Sequence, residues 1–284
     1  MKRTLPAGAV LGILMLVANS AAQTESRPTT KPRPASRPIL AHGASRPTGV
    51  QGSTQALALA RRVHEFAGGY GALDRVHNLV FTYAGGRRIL WSLDEDKVRI
   101  ETLAPPPPKG TIGTYWEVLV YDIAADKSLL QAPPKPHPSA PNISGKSMWL
   151  DDCYWLLLPL KVLDDGVVLA IDPLEPGDAA GVQRLRITFA GVGIHPENRY
   201  VLHVETRTGK VLRSDFQRTE RSPIQSASWE RWTRIGPLQL ALLRVPVSAA
   251  KRAERDVEFS AVAVDVAVPE DIRTRTTRLL KALE

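Results

Sequence analysis

From Arg87 onward the chain is a succession of short segments in which apolar and polar residues alternate. That period of two, interrupted by turn residues, commits the chain to an antiparallel β fold. Ile89, Trp91 and Leu93 alternate with Arg88, Leu90 and Ser92; Asp94-Glu95-Asp96-Lys97 turns the chain; Val98, Ile100 and Thr102 then alternate with Arg99 and Glu101. Further strands are predicted over 115–123, 129–131, 149–160, 167–171, 183–189, 200–205, 211–217, 228–233, 238–244 and 257–268. Turns such as Glu175-Pro176-Gly177-Asp178, His195-Pro196-Glu197-Asn198 and Arg207-Thr208-Gly209-Lys210 separate them, so consecutive strands form a meander.

A helix precedes the strands. Leu57, Ala60 and Val63, with Leu59 and Phe66, recur at helical spacing over 54–66; Thr54 is the expected N-cap and Gly68-Gly69 the stop. A short helical turn follows around 72–77, and a last helix is predicted over 270–283. Proline breaks the pattern at 105–108 and again over 133–141, where the loop reads either as a flap or cavity rim or as a surface insertion. The fold class expected is α+β, mainly antiparallel β.

Ahead of this domain lie two segments of different character. Met1 to Ala22 has Lys2 and Arg3, an apolar run from Ala7 to Ala18, then Ser20-Ala21-Ala22, the pattern of a cleaved secretory signal and too short to span a bilayer. Residues 23–54 repeat Ser-Arg-Pro at 26–28, 36–38 and 45–47 and hold few apolar residues, which predicts a disordered linker reaching roughly 100 Å when extended. The domain organisation expected is thus 1–22 signal peptide, 23–54 basic linker, and 55–284 a single folded domain.

The formal charge of +8 suggests nucleic acid only if it lies on a folded face. Lys2 and Arg3 leave with the signal, and Arg27, Lys31, Arg33, Arg37 and Arg46 against Glu25 place +4 of the remaining +6 in the linker, so no nucleic acid partner is expected, and the tail reads as a solvated spacer or a tether for anionic lipid or wall polymer. Cys153 is the single cysteine, which rules out an internal disulfide, and no cysteine stands at the cleavage site to be lipidated. A free protein of the periplasm, or a secreted one, is expected.

No catalytic or metal motif emerges. His42, His64, His77, His137, His195 and His203 are scattered and read as surface or turn residues; there is no Gly-x-Ser-x-Gly elbow, and the acidic turn at 94–96 lacks calcium-ligand spacing. Gly68-Gly69-Tyr70-Gly71 follows a helix, so it is no phosphate cradle. Asp151-Asp152 before Cys153 disfavour a thiolate there, which makes a buried thiol the better reading. Asp151-Asp152 and Asp164-Asp165 bracket an apolar stretch and read as solvated strand ends or, less simply, as paired carboxylates. No enzyme activity and no cofactor is expected.

That apolar stretch, 148–163, is the most unusual part of the chain. Read as a strand apolar on both sides, it must be covered by core on one face and by a helix, a lid or a ligand on the other. Its Trp149, Tyr154 and Trp155, together with Trp91 and Trp116, are the candidate lining of an apolar cavity, chosen for size and strand position.

The run from Asp152 to Asp164, followed by Gly166-Val167, resembles a segment of the LolA/LolB-like periplasmic lipoprotein carrier superfamily. The opening helix ending in Gly68-Gly69, and Gly191-Val192-Gly193 leading into Tyr200-Val201-Leu202, are similar to the same group; the resemblance covers about 54–217. It implies an incomplete, half-open β-barrel curved around an apolar cavity, with helices as a lid, that holds an acyl chain, a lipid or a lipoprotein. It also implies a lid-latching arginine, for which Arg87, Arg88 and Arg99 are all candidates. The alternative is a structural or interaction module, its half-barrel filled by its own side chains, that docks on envelope polymers or anionic lipid through the basic tail.

Overall fold

The structure is a computed structural model that describes residues 49–103, 113–137, 145–193, 195–247 and 256–278. The signal peptide, most of the basic linker, the 105–108 break, residues 138–141 and residues 279–283 lie outside the described residues.

The alternating segments form strands that join one open sheet. In chain order these are β1 (Gln51–Gly52), β2 (Asn78–Tyr83), β3 (Arg87–Ser92), β4 (Lys97–Thr102), β5 (Gly113–Asp122), β6 (Lys127–His137) and β7 (Val167–Asp172). There follow β8 (Val182–Phe189), β9 (Arg199–Glu205), β10 (Val211–Gln217), β11 (Gln225–Ile235), β12 (Leu238–Pro246) and β13 (Val257–Val264). Their spatial order is β1-β7-β8-β9-β10-β11-β12-β13-β2-β3-β4-β5-β6. Two meanders, β2 to β6 and β7 to β13, are therefore stitched side by side where β13 pairs antiparallel with β2. Only the two-residue β1 pairs parallel, with β7; the remaining neighbours are antiparallel and the sheet does not close. The result is an α+β half-barrel with two α-helices among the described residues. Residues 51–53, assigned to the linker by sequence, already belong to the fold.

The first helix, α1, spans Thr54–Phe66 as predicted, but its cap is Ser53, whose hydroxyl accepts the Ala56 N–H at 3.2 Å. Gly68 and Gly69 end it at φ of +135° and +75°, conformations that side chains with a Cβ rarely adopt. Ala56, Leu59, Ala60 and Val63 bury its apolar stripe against β7 to β12.

The segment predicted as a strand over 149–160 is instead helix α2, Gly145–Lys161. Seventeen residues would make a strand of about 56 Å, whereas as a helix they span about 25 Å, a length that fits across the sheet. Its apolar residues point all round, which removes the helical period and requires burial on every side. Trp149, Cys153, Leu156, Leu157 and Leu160 pack with the first meander, while Leu158 joins the core beneath α1. In place of a strand covered on both faces there is a helix plugging the half-barrel, buried throughout over 156–161 and half-buried at Met148, Leu150, Tyr154 and Trp155.

Two other predictions change. Pro133, Pro134 and Pro136 lie in strand β6 and not in a loop; β6 is the sheet's edge, where a residue without an N–H costs fewest ladder bonds. The C-terminal helix is only a single 3₁₀ turn, Glu270–Arg273. Beyond it the chain runs over the outer face, because the buried Arg99 guanidinium donates to the carbonyls of Ile272, Arg275 and Thr277 at 2.7, 2.8 and 2.7 Å. Those carbonyls satisfy Arg99 only if the chain stays open, and Thr274, Thr276 and Thr277 have little helix preference of their own.

Candidate functional site

The inner face of the sheet beneath α2 is where aromatic, apolar and charged groups converge. Trp155 sits at its centre, packed against both cores, with ring centroids 5.7 Å from Tyr200 and 5.2 Å from Phe216. On one side of its ring opens a cleft of about 50 Å³ shared with Tyr154, Phe189, Val192, His195 and Tyr200; on the other lies one of about 60 Å³ bounded by Tyr83, Phe216, Arg244, Pro246 and Val257. Both are lined mainly by apolar atoms.

The five aromatic residues picked out by sequence divide between core and clefts. Tyr154 and Trp155 line the clefts. Trp91 and Trp149 meet edge to face at 5.4 Å and are fully buried, Trp91 on β3 and Trp149 on α2. Trp116 on β5 is half-buried at the margin of the same core. Tyr154 meets Tyr200 at 5.5 Å with the rings tilted by 44°, and among the described residues its buried hydroxyl has no hydrogen-bond partner.

Two polar links fasten α2 to the sheet here. Arg87 at the start of β3 grips Asp152 with Nε and Nη2, at 2.7 and 2.6 Å. Asp152 is buried, and burial pushes its carboxyl above the ordinary range against the pull of Arg87. Of the three arginines that sequence left open, this is the one that reaches α2; Arg88 donates to Thr82, and Arg99 pairs with Glu101 on the outer face.

The second link arises from a proline. Pro159 has no N–H, so within α2 the carbonyl of Trp155, four residues back, loses its helical donor. Arg244 of β12 supplies one instead, its Nη2 standing 3.0 Å from that carbonyl. Its Nη1 donates to the carbonyls of Ala241 and Leu243 at 2.8 and 3.3 Å, and its guanidinium carbon lies 3.5 Å from the Trp229 ring centroid. Sequence reasoning passed over Arg244, although its place in β12 was a signal: it shares the inward parity of Leu238 and Leu240.

The acidic pairs are not strand ends and do not act together. Asp152 holds Arg87; Asp164 pairs with the buried Lys161 at 2.5 Å; Asp165 accepts the Gly49 N–H at 2.9 Å. Asp151 lies at the rim of the first cleft, where burial raises its carboxyl to about 6 despite His195 at 3.9 Å. Cys153 is buried, and burial with the neighbouring Asp152 charge pushes its thiol well up.

Two histidines are misplaced by a surface reading. His64, in the last turn of α1, is buried against Tyr70, and burial lowers its pKa to about 4. His203 is buried on the outer face between Asp178 and Asp215, at 3.0 and 2.8 Å; both partners come from other segments, which local spacing does not reveal. Burial opposes ionisation of Asp215, but bonds from His203, Ser226 and Arg213 outweigh it and hold that carboxyl well below the usual range. Among the described residues no group of three or more His, Cys, Asp and Glu side chains is placed to hold a metal, and no helix is long and apolar enough to cross a membrane.

No family model and no curated protein matches the chain. Among solved structures it is similar to a DUF1329 family protein from Desulfovibrio piger, at 14% identity over 81% of this chain and 98% of that one, TM-score 0.40. It is similar also to a LolA superfamily protein from Nitrosomonas europaea, at 11% identity over 76% and 97%, TM-score 0.39. A third is an outer-membrane lipoprotein-sorting protein domain from Vibrio parahaemolyticus, at 10% identity over 73% and 90%, TM-score 0.33. The fold itself rests on the chain's own open antiparallel sheet and the helix seated on its inner face.

Proposed function

We propose that this is a non-enzymatic binding or carrier protein of the cell envelope that takes an apolar chain, such as an acyl chain of a lipid or lipoprotein, between α2 and the inner face of the half-barrel. The observation that carries this reading is the pair of apolar clefts flanking Trp155. Each is far below the roughly 300 Å³ of the smaller ligand pockets, so entry of a chain requires α2 to lift. Lifting α2 separates Trp149 from Trp91, and Trp91 and Trp116 on the sheet then face Trp149, Tyr154 and Trp155 on the helix across the opened space.

The test is lipid extraction and native mass spectrometry of the exported protein, beside the Trp155→Glu variant. Apolar ligand should co-purify with the wild type and be lost from a folded variant. Equal recovery from both refutes the site.

The complete packing of Trp91 against Trp149 favours a second reading, a self-filled module that contacts the envelope through its basic tail. On that reading no lipid is recovered, and salt-sensitive binding to anionic vesicles depends on residues 23–54.

A further inference from the structure

Arg87, Arg99 and Arg184 are each largely or wholly buried, and each is paired with a carboxylate: Asp152, Glu101 and Glu175 respectively. Arg244 is 3% exposed, and among the described residues no carboxylate pairs with it and none lines the cleft it borders. Burial lowers its pKa only to about 9, so it is a cation at neutral pH. A buried charge is tolerated when paired and is costly otherwise. The Trp229 face offsets part of that cost, and the contact with Trp155 explains one donor.

The remaining donors are the informative part. A guanidinium has five N–H groups, and those on Nη1 and one on Nη2 are spent on the carbonyls of Ala241, Leu243 and Trp155. Nε is buried with no partner. Nε–H and the second Nη2–H are the adjacent pair that a planar carboxylate takes in a bidentate fork. The cleft at Arg244 is apolar on its Trp155, Phe216, Pro246 and Val257 sides and carries the uncharged polar residues Ser214, Gln225 and Ser226 on its β10–β11 side.

Resting on the reading of α2 and its clefts as an apolar-chain site, we propose that the chain is an acyl chain with a free carboxylate at its end, and that Arg244 binds that carboxylate through Nε and Nη2. The headgroup and first carbons would occupy the cleft between Trp155 and Val257, and the tail would follow the inner face beneath α2. The size of the cleft favours a carboxylate over a bulkier phosphodiester headgroup. A carboxylate arriving there supplies the counter-charge that is missing among the described residues.

The experiment compares three probes of equal chain length, palmitate, hexadecanol and hexadecyl phosphate, binding to the delipidated exported protein and to Arg244→Met, by calorimetry below micelle formation. Palmitate should bind the wild type about tenfold or more tighter than hexadecanol, as one charge-assisted pair implies. Arg244→Met should erase that preference while still binding the alcohol. Equal binding of acid and alcohol, a preference that survives Arg244→Met, or tighter binding of the phosphate overturns the carboxylate site while leaving the apolar-chain reading intact. Binding of none of the three overturns both. Should Arg244→Met fail to fold, carboxyl-¹³C palmitate bound to the wild type decides: its carboxyl should titrate below the free acid, and titration at or above the free acid's pH overturns the proposal.

Discussion

Replacing Arg87 by Met tests whether its ion pair with Asp152 fastens α2 to the sheet. The Asp152 side chain is 1% exposed and that of Arg87 28%. Arg87→Met leaves both carboxylate oxygens without water and without a counter-charge. Removing one member of a buried pair costs about 3–5 kcal/mol, and the partial exposure of Arg87 puts the expected loss at pH 7 near about 3 kcal/mol. The pH dependence has a definite sign. Burial already raises Asp152 above its unfolded value, with Arg87 opposing, so without Arg87 the folded carboxyl rises further. A folded pKa above the unfolded one gives stability that is full below the unfolded value, near about 4, and lost as pH rises through the folded value. The deficit of the variant should therefore shrink on going from pH 7 to pH 5, by up to about 1.4 kcal/mol per pH unit. Urea unfolding at both pH values, on the wild type, Arg87→Met, Asp152→Asn and the double variant, measures this. A deficit below about 1 kcal/mol, or one of equal size at both pH values, would refute the reasoning.

Leu156→Ala removes a fully buried side chain of α2 and should cost about 3 kcal/mol, read from the same unfolding curves. Gly209→Ala should destabilise by more than about 2 kcal/mol, because φ is +82° and an added Cβ would lie 2.2 Å from the Arg62 carbonyl of α1; a thermal midpoint unchanged from wild type would contradict that contact. His64 has its pKa lowered to about 4 by burial, so the stability it contributes as a neutral ring is complete above its unfolded value and declines as pH falls toward 4. His64→Phe should accordingly flatten the acid limb of the stability profile, by no more than about 3 kcal/mol; an unaltered acid limb would show that His64 is not the group titrating.

The elements that could be read along the chain are those whose burial is one-sided. α1 shows its stripe at Ala56, Leu59, Ala60 and Val63 because polar residues occupy its outer face. The hairpin β3–β4 shows its alternation for the same reason: Ile89, Trp91, Val98 and Ile100 face α2, while Arg88 and Arg99 face away. α2 carries apolar residues all round and is buried throughout over 156–161, so no period marks it as a helix, and only its length argued against a strand. β2 was overlooked because Leu79, Val80 and Phe81 are buried on both faces, Val80 under the C-terminal strap. Of the site, Tyr154 and Trp155 were legible as aromatics in an odd place. Arg244 was legible only as an inward position of β12; what distinguishes it, the absence of an acid among the described residues of a cleft assembled from β2, α2, β10, β11, β12 and β13, was not.

The seam between β13 and β2 sets the order in which the molecule can be finished. β2 begins the first meander, yet its second neighbour is the last strand of the described chain. As the chain is synthesised from its N-terminus, β2 to β6 can form a hairpin ladder, but β2 keeps an open edge until residues 257–264 arrive. Such distant pairing is slow, and an open edge invites strands from other molecules. A chain cut short before β13 would thus lose more than one strand: without Phe259 it would uncover Phe81 and Tyr83 beside an unguarded ladder.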